Sequence, residues 1–171
     1  GFAWFKGMKE NLYITQYIVT GIGHLVQLKV LDLNKNPKLK DMITKAVGYI
    51  DNGMKEDYDW LLKAKVKDKI DLSKNRIGYY HINYFYARSF FKDIPVNSFN
   101  EEAFNYFKWQ IKTYWNDYLH SKYLMGLIAL GLNRYKEEIP NKFHGAFNKH
   151  GMKNYGSNNI PQKIIDSLKE N

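Results

Sequence analysis

The residues of this sequence whose types could do chemistry are three pairs of adjacent carboxylates, a few histidines, one glycine cluster and two arginines in apolar surroundings. The acidic pairs are Glu56/Asp57, Glu101/Glu102 and Glu137/Glu138. Hydrolysis of a glycoside needs two carboxylates facing each other across a cleft, and adjacent residues of a helix point apart. Glu101 and Glu102 read better as first-turn acids favoured by the helix dipole. His144 and His150 stand six apart, on different faces of a helix. That is not zinc-ligand spacing, and they read as surface or capping histidines. Gly21-Ile22-Gly23-His24-Leu25-Val26 imitates part of a dinucleotide fingerprint. It falls inside a predicted helix with no strand before it, so it cannot cradle a phosphate. Its glycines read instead as points of close helix approach. Arg88 and Arg134 fall near predicted helix ends. The structural reading has them bonding C-terminal carbonyls or a buried acid, and the sharper reading is an anion or partner site. Cysteine is absent, which excludes disulfides, cysteine-ligated zinc and thiol catalysis within this chain. No catalytic, cofactor-binding or metal-binding residue is assigned, and no cofactor is expected.

Helices must position whatever these residues do. Ile14, Ile18, Gly21/Ile22, Leu25 and Leu28 form one apolar stripe and predict a helix over residues 12–31. A turn over 34–37 follows, with Pro37 suited to the first position of the next helix. Leu39, Ile43, Ala46/Val47, Ile50, Met54 and Leu61 carry a second stripe to about residue 65. Gly53 is expected to bend or break it. Residues 66–77 are polar and lysine-rich, an expected exposed connection. Residues 79–91 are almost wholly aromatic and apolar, as in a helix buried on most sides. Ser98-Phe99-Asn100-Glu101 matches a capping box and opens a predicted helix over 99–118, with Ala103, Phe107, Ile111, Tyr114 and Tyr118 on one face. Residues 121–135 are again apolar on most sides. Pro140 opens a predicted short helix ending near Gly151, residues 151–159 form a loop, and 161–170 a last short helix.

Half-exposed helices therefore alternate with nearly all-apolar ones. That order predicts an all-α chain of antiparallel helical hairpins in two layers, as in an α/α toroid or an α-solenoid. Residues 1–171 fit one helical domain. The chain begins with Gly rather than Met, and it reads as a piece of a larger protein. The core is expected to be aromatic, drawing on 14 Tyr, 10 Phe and 4 Trp. The net charge of +9 raises the possibility of a nucleic acid partner. The charge is spread along the chain and accompanies no nucleic-acid-binding motif, so it reads as a lysine-rich solvated surface. The longest apolar run, residues 123–132, is shorter than the roughly 20 residues a membrane helix needs.

Gly1-Phe2-Ala3-Trp4-Phe5-Lys6-Gly7, followed by Tyr13-Ile14-Thr15-Gln16-Tyr17-Ile18, resembles the thioester-domain region of alpha-2-macroglobulin-like proteins, especially those of Bacteroidetes. There a Gly-Phe-x-Trp/Tyr stretch precedes a helix of similar opening sequence. Tyr84-x-Tyr86-Ala87-Arg88-Ser89-Phe90-Phe91, then Tyr114-Trp115, Leu130-x-Leu132-x-Arg134 and Ile165-x-Ser167-Leu168-Lys169-Glu170 also look like that family. The resemblance covers nearly the whole chain and lies in the order and spacing of these stretches.

The resemblance implies part of an α/α toroid within a secreted or periplasmic endopeptidase inhibitor, with anchoring at the outer surface through the parent protein as one form of it. Such proteins trap a protease when it cleaves a bait segment and the molecule changes shape. Expected partners are the other domains of the parent chain and, through it, target proteases. Some members carry a thioester in a Cys-x-Glu-Gln motif upstream of the Gly-Phe-x-Trp stretch. Complement-type relatives add an assisting His, and residues 6–12 contain none. In isolation, an incomplete ring would expose apolar surface and favour a dimer. Two rival classes remain: an α/α-toroid glycan-active enzyme or carbohydrate-binding domain, and a scaffolding module using its basic face.

Overall fold

The computed structural model describes residues 1–3 and 5–135. Trp4, Glu137/Glu138, His144, His150 and the elements predicted beyond residue 135 lie outside the described residues. Within them the chain is all-α, with five α-helices and no strand.

Helix α1 (Leu12–Gln27) starts at Asn11, whose side chain accepts the Ile14 N–H at 3.1 Å. It ends four residues earlier than the periodicity suggested. Lys29 turns into the left-handed region at φ 59°, and the Val30 and Leu31 N–H groups fold back onto the Leu25 carbonyl. Such a reversal satisfies carbonyls that the last turn leaves open. The buried face also differs from the predicted stripe. Thr15, Val19 and Gly23 are buried, whereas Leu25 and Leu28 are exposed. Thr15 lies beneath the N-terminal segment and accepts the Phe2 N–H at 2.8 Å.

Helix α2 (Pro37–Lys67) is capped by the Asn36 side chain and has Pro37 in its first turn. It buries Ile43, Ala46, Val47, Ile50, Met54 and Leu61, as their spacing predicted. It runs unbroken through Gly53. A Cβ there would lie 2.4 Å from Leu12 Cδ2, so this glycine serves helix approach rather than bending.

Helix α3 (Tyr79–Arg88) continues into a single 3-10 turn at Ser89–Phe91. Helix α4 (Glu101–Tyr114) opens without the predicted capping box. Asn97 takes that place: its side chain accepts the Phe99 N–H at 3.0 Å, in the manner of an Asx-turn. The cap residue Asn100 instead donates from Nδ2 to Asn52 Oδ1 on α2, at 2.7 Å. Residues 103–111 of α4 are all buried, not one face of them. Helix α5 (Lys122–Tyr135) closes the described part.

The helices fall into two sets. Leu12 at the start of α1 meets Gly53 in the middle of α2, and Val26 near its end shares a hollow with Ile43 and Thr44. Helices α1 and α2 are therefore antiparallel. Tyr13 and Tyr17 lie by Tyr79, and His24 by Tyr86, so α1 and α3 run parallel. Tyr79 stacks on Tyr123, and Phe85 on Tyr135, so α3 and α5 do the same. On the other side, Asn100 pairs with Asn52 and Glu102 with Tyr58, which sets α4 parallel to α2. Odd helices thus neighbour odd ones, α2 neighbours α4, and α1·α2, α2·α3 and α3·α4 contacts join the two sets.

The connection at residues 68–78 is not simply exposed. Leu72 is in the core. One stripe of α4 and the turn after it takes up the backbone of this connection. Tyr106 donates to the Leu72 carbonyl at 3.1 Å. Gln110 donates to the Leu72 and Lys74 carbonyls and accepts the Arg76 N–H at 2.9 Å. Tyr114 and Tyr118 donate to the Ser73 and Ile77 carbonyls. Residues four apart share a helix face, so 106, 110, 114 and 118 sew the connection down along one line.

Candidate functional site

The residues singled out from sequence go mostly to structural work. Arg88 is 1% exposed. Its Nε donates to Asp51 Oδ1 at 3.1 Å, and Tyr84 donates to the same oxygen at 2.8 Å. The other guanidinium nitrogens donate to the Phe91 and Ile94 carbonyls. Arg88 therefore bonds both a buried acid and the carbonyls beyond its helix. Burial pushes the Asp51 carboxyl above the usual range, while Arg88 and Tyr84 pull it back.

Arg134 lies over the Phe90 ring, 3.8 Å from its centroid, and donates to Ser89 Oγ and Gln27 Oε1. It links α5 to the turn after α3 and to the end of α1. Gly23 lets Phe90 close on α1, because a Cβ would lie 2.4 Å from Phe90 Cγ. Gly21 has open space around it, so only one glycine of the pair serves helix approach.

Among the acidic pairs, Asp57 lies 3.2 Å from His81 Nε2, and His81 Nδ1 accepts the Gly78 N–H. Both glutamates of the second pair stand in the first turn of α4. Glu102 accepts from Tyr58 at 2.9 Å. Burial, reinforced by Glu102, raises the Tyr58 hydroxyl well above the ordinary tyrosine range. Among the described residues no three His, Asp or Glu side chains cluster as a metal site, and no helix is long and apolar enough to cross a membrane.

The feature that sequence reasoning missed lies on the odd-numbered helices. Tyr13, Tyr17, Tyr79 and Tyr123 are exposed rather than part of the aromatic core. They rim a hollow of about 310 Å³ between α1, α3 and α5, together with Gln16 and Asn83. Tyr79 and Tyr123 stack with centroids 6.1 Å apart and planes 24° apart. The Asn83 amide donates to the Tyr79 carbonyl at 2.8 Å. Burial, then the neighbouring Tyr79 hydroxyl, pushes the Tyr123 hydroxyl up to about 12. Thr20, Leu127 and the His24–Tyr86 pair complete the wall.

Gln16 is 2% exposed, and neither Oε1 nor Nε2 has a hydrogen-bond partner. Among the described residues, no Asp, Glu, Lys or Arg lines the hollow. Two i, i+4 pairs signal this face in the sequence, Tyr13/Tyr17 and Tyr79/Asn83.

The chain matches no family model, no curated protein and no solved structure.

Proposed function

We propose that this chain is a non-catalytic helical framework domain, part of the α/α toroid of an alpha-2-macroglobulin-like endopeptidase inhibitor. The observation that carries the reading is the ordered set of stretches from Gly1–Gly7 through Tyr84–Phe91 to Leu130–Arg134. Two features of the fold support it. Helices α1, α3 and α5 pack in sequence and α2 packs on α4, with α1 and α2 forming a hairpin between the two sets, an order compatible with a two-layered helical array. The stretch at 84–91 that carries the resemblance supplies Arg88, which pairs with Asp51 of α2, and the Phe90 contact to α1, so its residues bear on helix assembly.

Under this reading the parent is secreted or periplasmic. Its partners are its own other domains and the proteases it traps. Exposed Leu28 and Val30 beyond α1 suit contact with another domain, or with a second copy in isolation.

The test is to incubate the parent protein with a broad-specificity protease. A single early cleavage, a fall in hydrodynamic radius and protease retained through gel filtration are expected. Fragmentation at many sites with no change in radius and no retained protease counts against the reading.

A further inference from the structure

We propose that the tyrosine-rimmed hollow between α1, α3 and α5 binds a neutral glycan, one or two sugar units being held there. The inference rests on the hollow itself and stands apart from the framework reading.

Three observations point to this ligand. Exposed rings from three helices converge on one hollow: Tyr13 and Tyr17, Tyr79, and Tyr123. An aromatic face takes up an apolar surface while its hydroxyl stays available for hydrogen bonding. A pyranose presents that combination, with C–H bonds on its faces and hydroxyls around its edge. The charge points the same way. The chain carries +9, yet no ionised Asp, Glu, Lys or Arg lines the hollow among the described residues. A charged ligand would gain nothing there that the rest of the surface does not offer.

The third observation is Gln16. A buried amide with both ends unpartnered is costly, and native structures contain few. Its oxygen needs a donor and its nitrogen an acceptor. Sugar hydroxyls are both at once. A proline-rich peptide also docks on aromatic rings, but its prolines offer acceptors only and would leave Gln16 Oε1 unsatisfied. The hollow's volume of about 310 Å³ lies at the small end of ligand clefts, roughly 300–1,000 Å³, which limits occupancy to a short piece of a chain. The amide is shut off from solvent, so entry requires a rim ring to swing aside. Exposed side chains change rotamer in picoseconds to nanoseconds.

The experiment uses the full 171-residue chain in affinity electrophoresis through gels containing xylan, mannan, β-glucan or starch. Calorimetric titration with the matching neutral oligosaccharide follows. Retardation by at least one polymer is expected. Tyr123→Ala and Gln16→Met are each expected to weaken binding about tenfold or more, as loss of a stacking ring or of a hydroxyl-reading amide does. Gln16→Met is also expected to raise the melting temperature, because an unpartnered polar group leaves the interior. If that variant does not fold, Tyr123→Ala carries the test.

Failure of every neutral polymer to retard the chain overturns the proposal. So does binding that survives both substitutions, binding to heparin alone that disappears with salt, or capture of a proline-rich peptide with no sugar bound.

Discussion

Arg88 Nε lies 3.1 Å from Asp51 Oδ1, and both side chains are almost wholly shut away from water. The pair joins α3 to α2 from opposite sets of helices, and the remaining guanidinium nitrogens fix the backbone of the turn that follows. A buried charge is tolerable only when it is paired and its hydrogen bonds are filled. Here the carboxylate has Arg88 and Tyr84, and the guanidinium has Asp51 and two carbonyls.

Removing one member leaves the other charge buried alone. Arg88→Met is expected to cost about 3–5 kcal/mol in urea unfolding. Adding Asp51→Leu to Arg88→Met is expected to recover most of that loss, because the stranded carboxylate goes too. A double variant no better than the single one would show that Arg88 acts through its carbonyl contacts instead.

The two glycines of α1 are expected to respond in opposite directions. Gly23→Ala places a Cβ against Phe90, and overpacking of that kind costs about 1–3 kcal/mol. Gly21→Ala meets nothing within 4 Å and adds helix propensity, which stabilises by roughly 0.5–1 kcal/mol. Thermal unfolding of the two variants side by side checks the sign of each.

Gln110 sits at the middle of the line that holds residues 68–78 down. Gln110→Leu leaves the Arg76 N–H and the Lys74 carbonyl without their partner. A loss of about 1–3 kcal/mol is expected, with faster amide exchange at Arg76 than in the unsubstituted chain. Unchanged exchange at Arg76 would mean that the tyrosines alone secure the connection.

High pH should unfold this chain through its tyrosines. Burial raises the hydroxyls of Tyr58, Tyr80, Tyr84 and Tyr106 above the ordinary range. A group raised in the folded state contributes stability that is complete below its unfolded pKa of about 10. That stability is lost as the pH climbs from there towards the folded value. Tyr84 is fully buried, and it alone gives a fall of about 1.4 kcal/mol per pH unit. Urea unfolding at pH 8, 9.5 and 11 should show stability level at first and then dropping. Tyr84→Phe should make the drop shallower.

Local rules explain why the helices were legible. Ile43, Ala46, Val47, Ile50, Met54 and Leu61 recur at helical spacing, and that alone places α2 and its buried face. Pro37 in its first turn was legible for the same reason. The structure departs from these local rules where another residue, adjacent or distant, takes the same group or space. Ser98 and Glu101 had capping-box spacing, but Asn97 took the turn and Asn100 reached across to Asn52. Gly53 looked like a weak point until Leu12 closed on it. Leu25 and Leu28 continued an apolar stripe, yet Lys29 turned the chain and left them outside.

The sequence by itself determined that the described residues are helical and where most of their helices run. Those properties depend on residues within a few positions of one another. Tertiary structure alone decided that Arg88 would find Asp51, 37 positions away. It alone joined Tyr13 and Tyr17 to Tyr79 and Tyr123 around one unpartnered glutamine. Nothing in a helical period specifies which other helix a given face will meet. That choice follows from how the described helices pack at once, and the hollow exists only after they have done so.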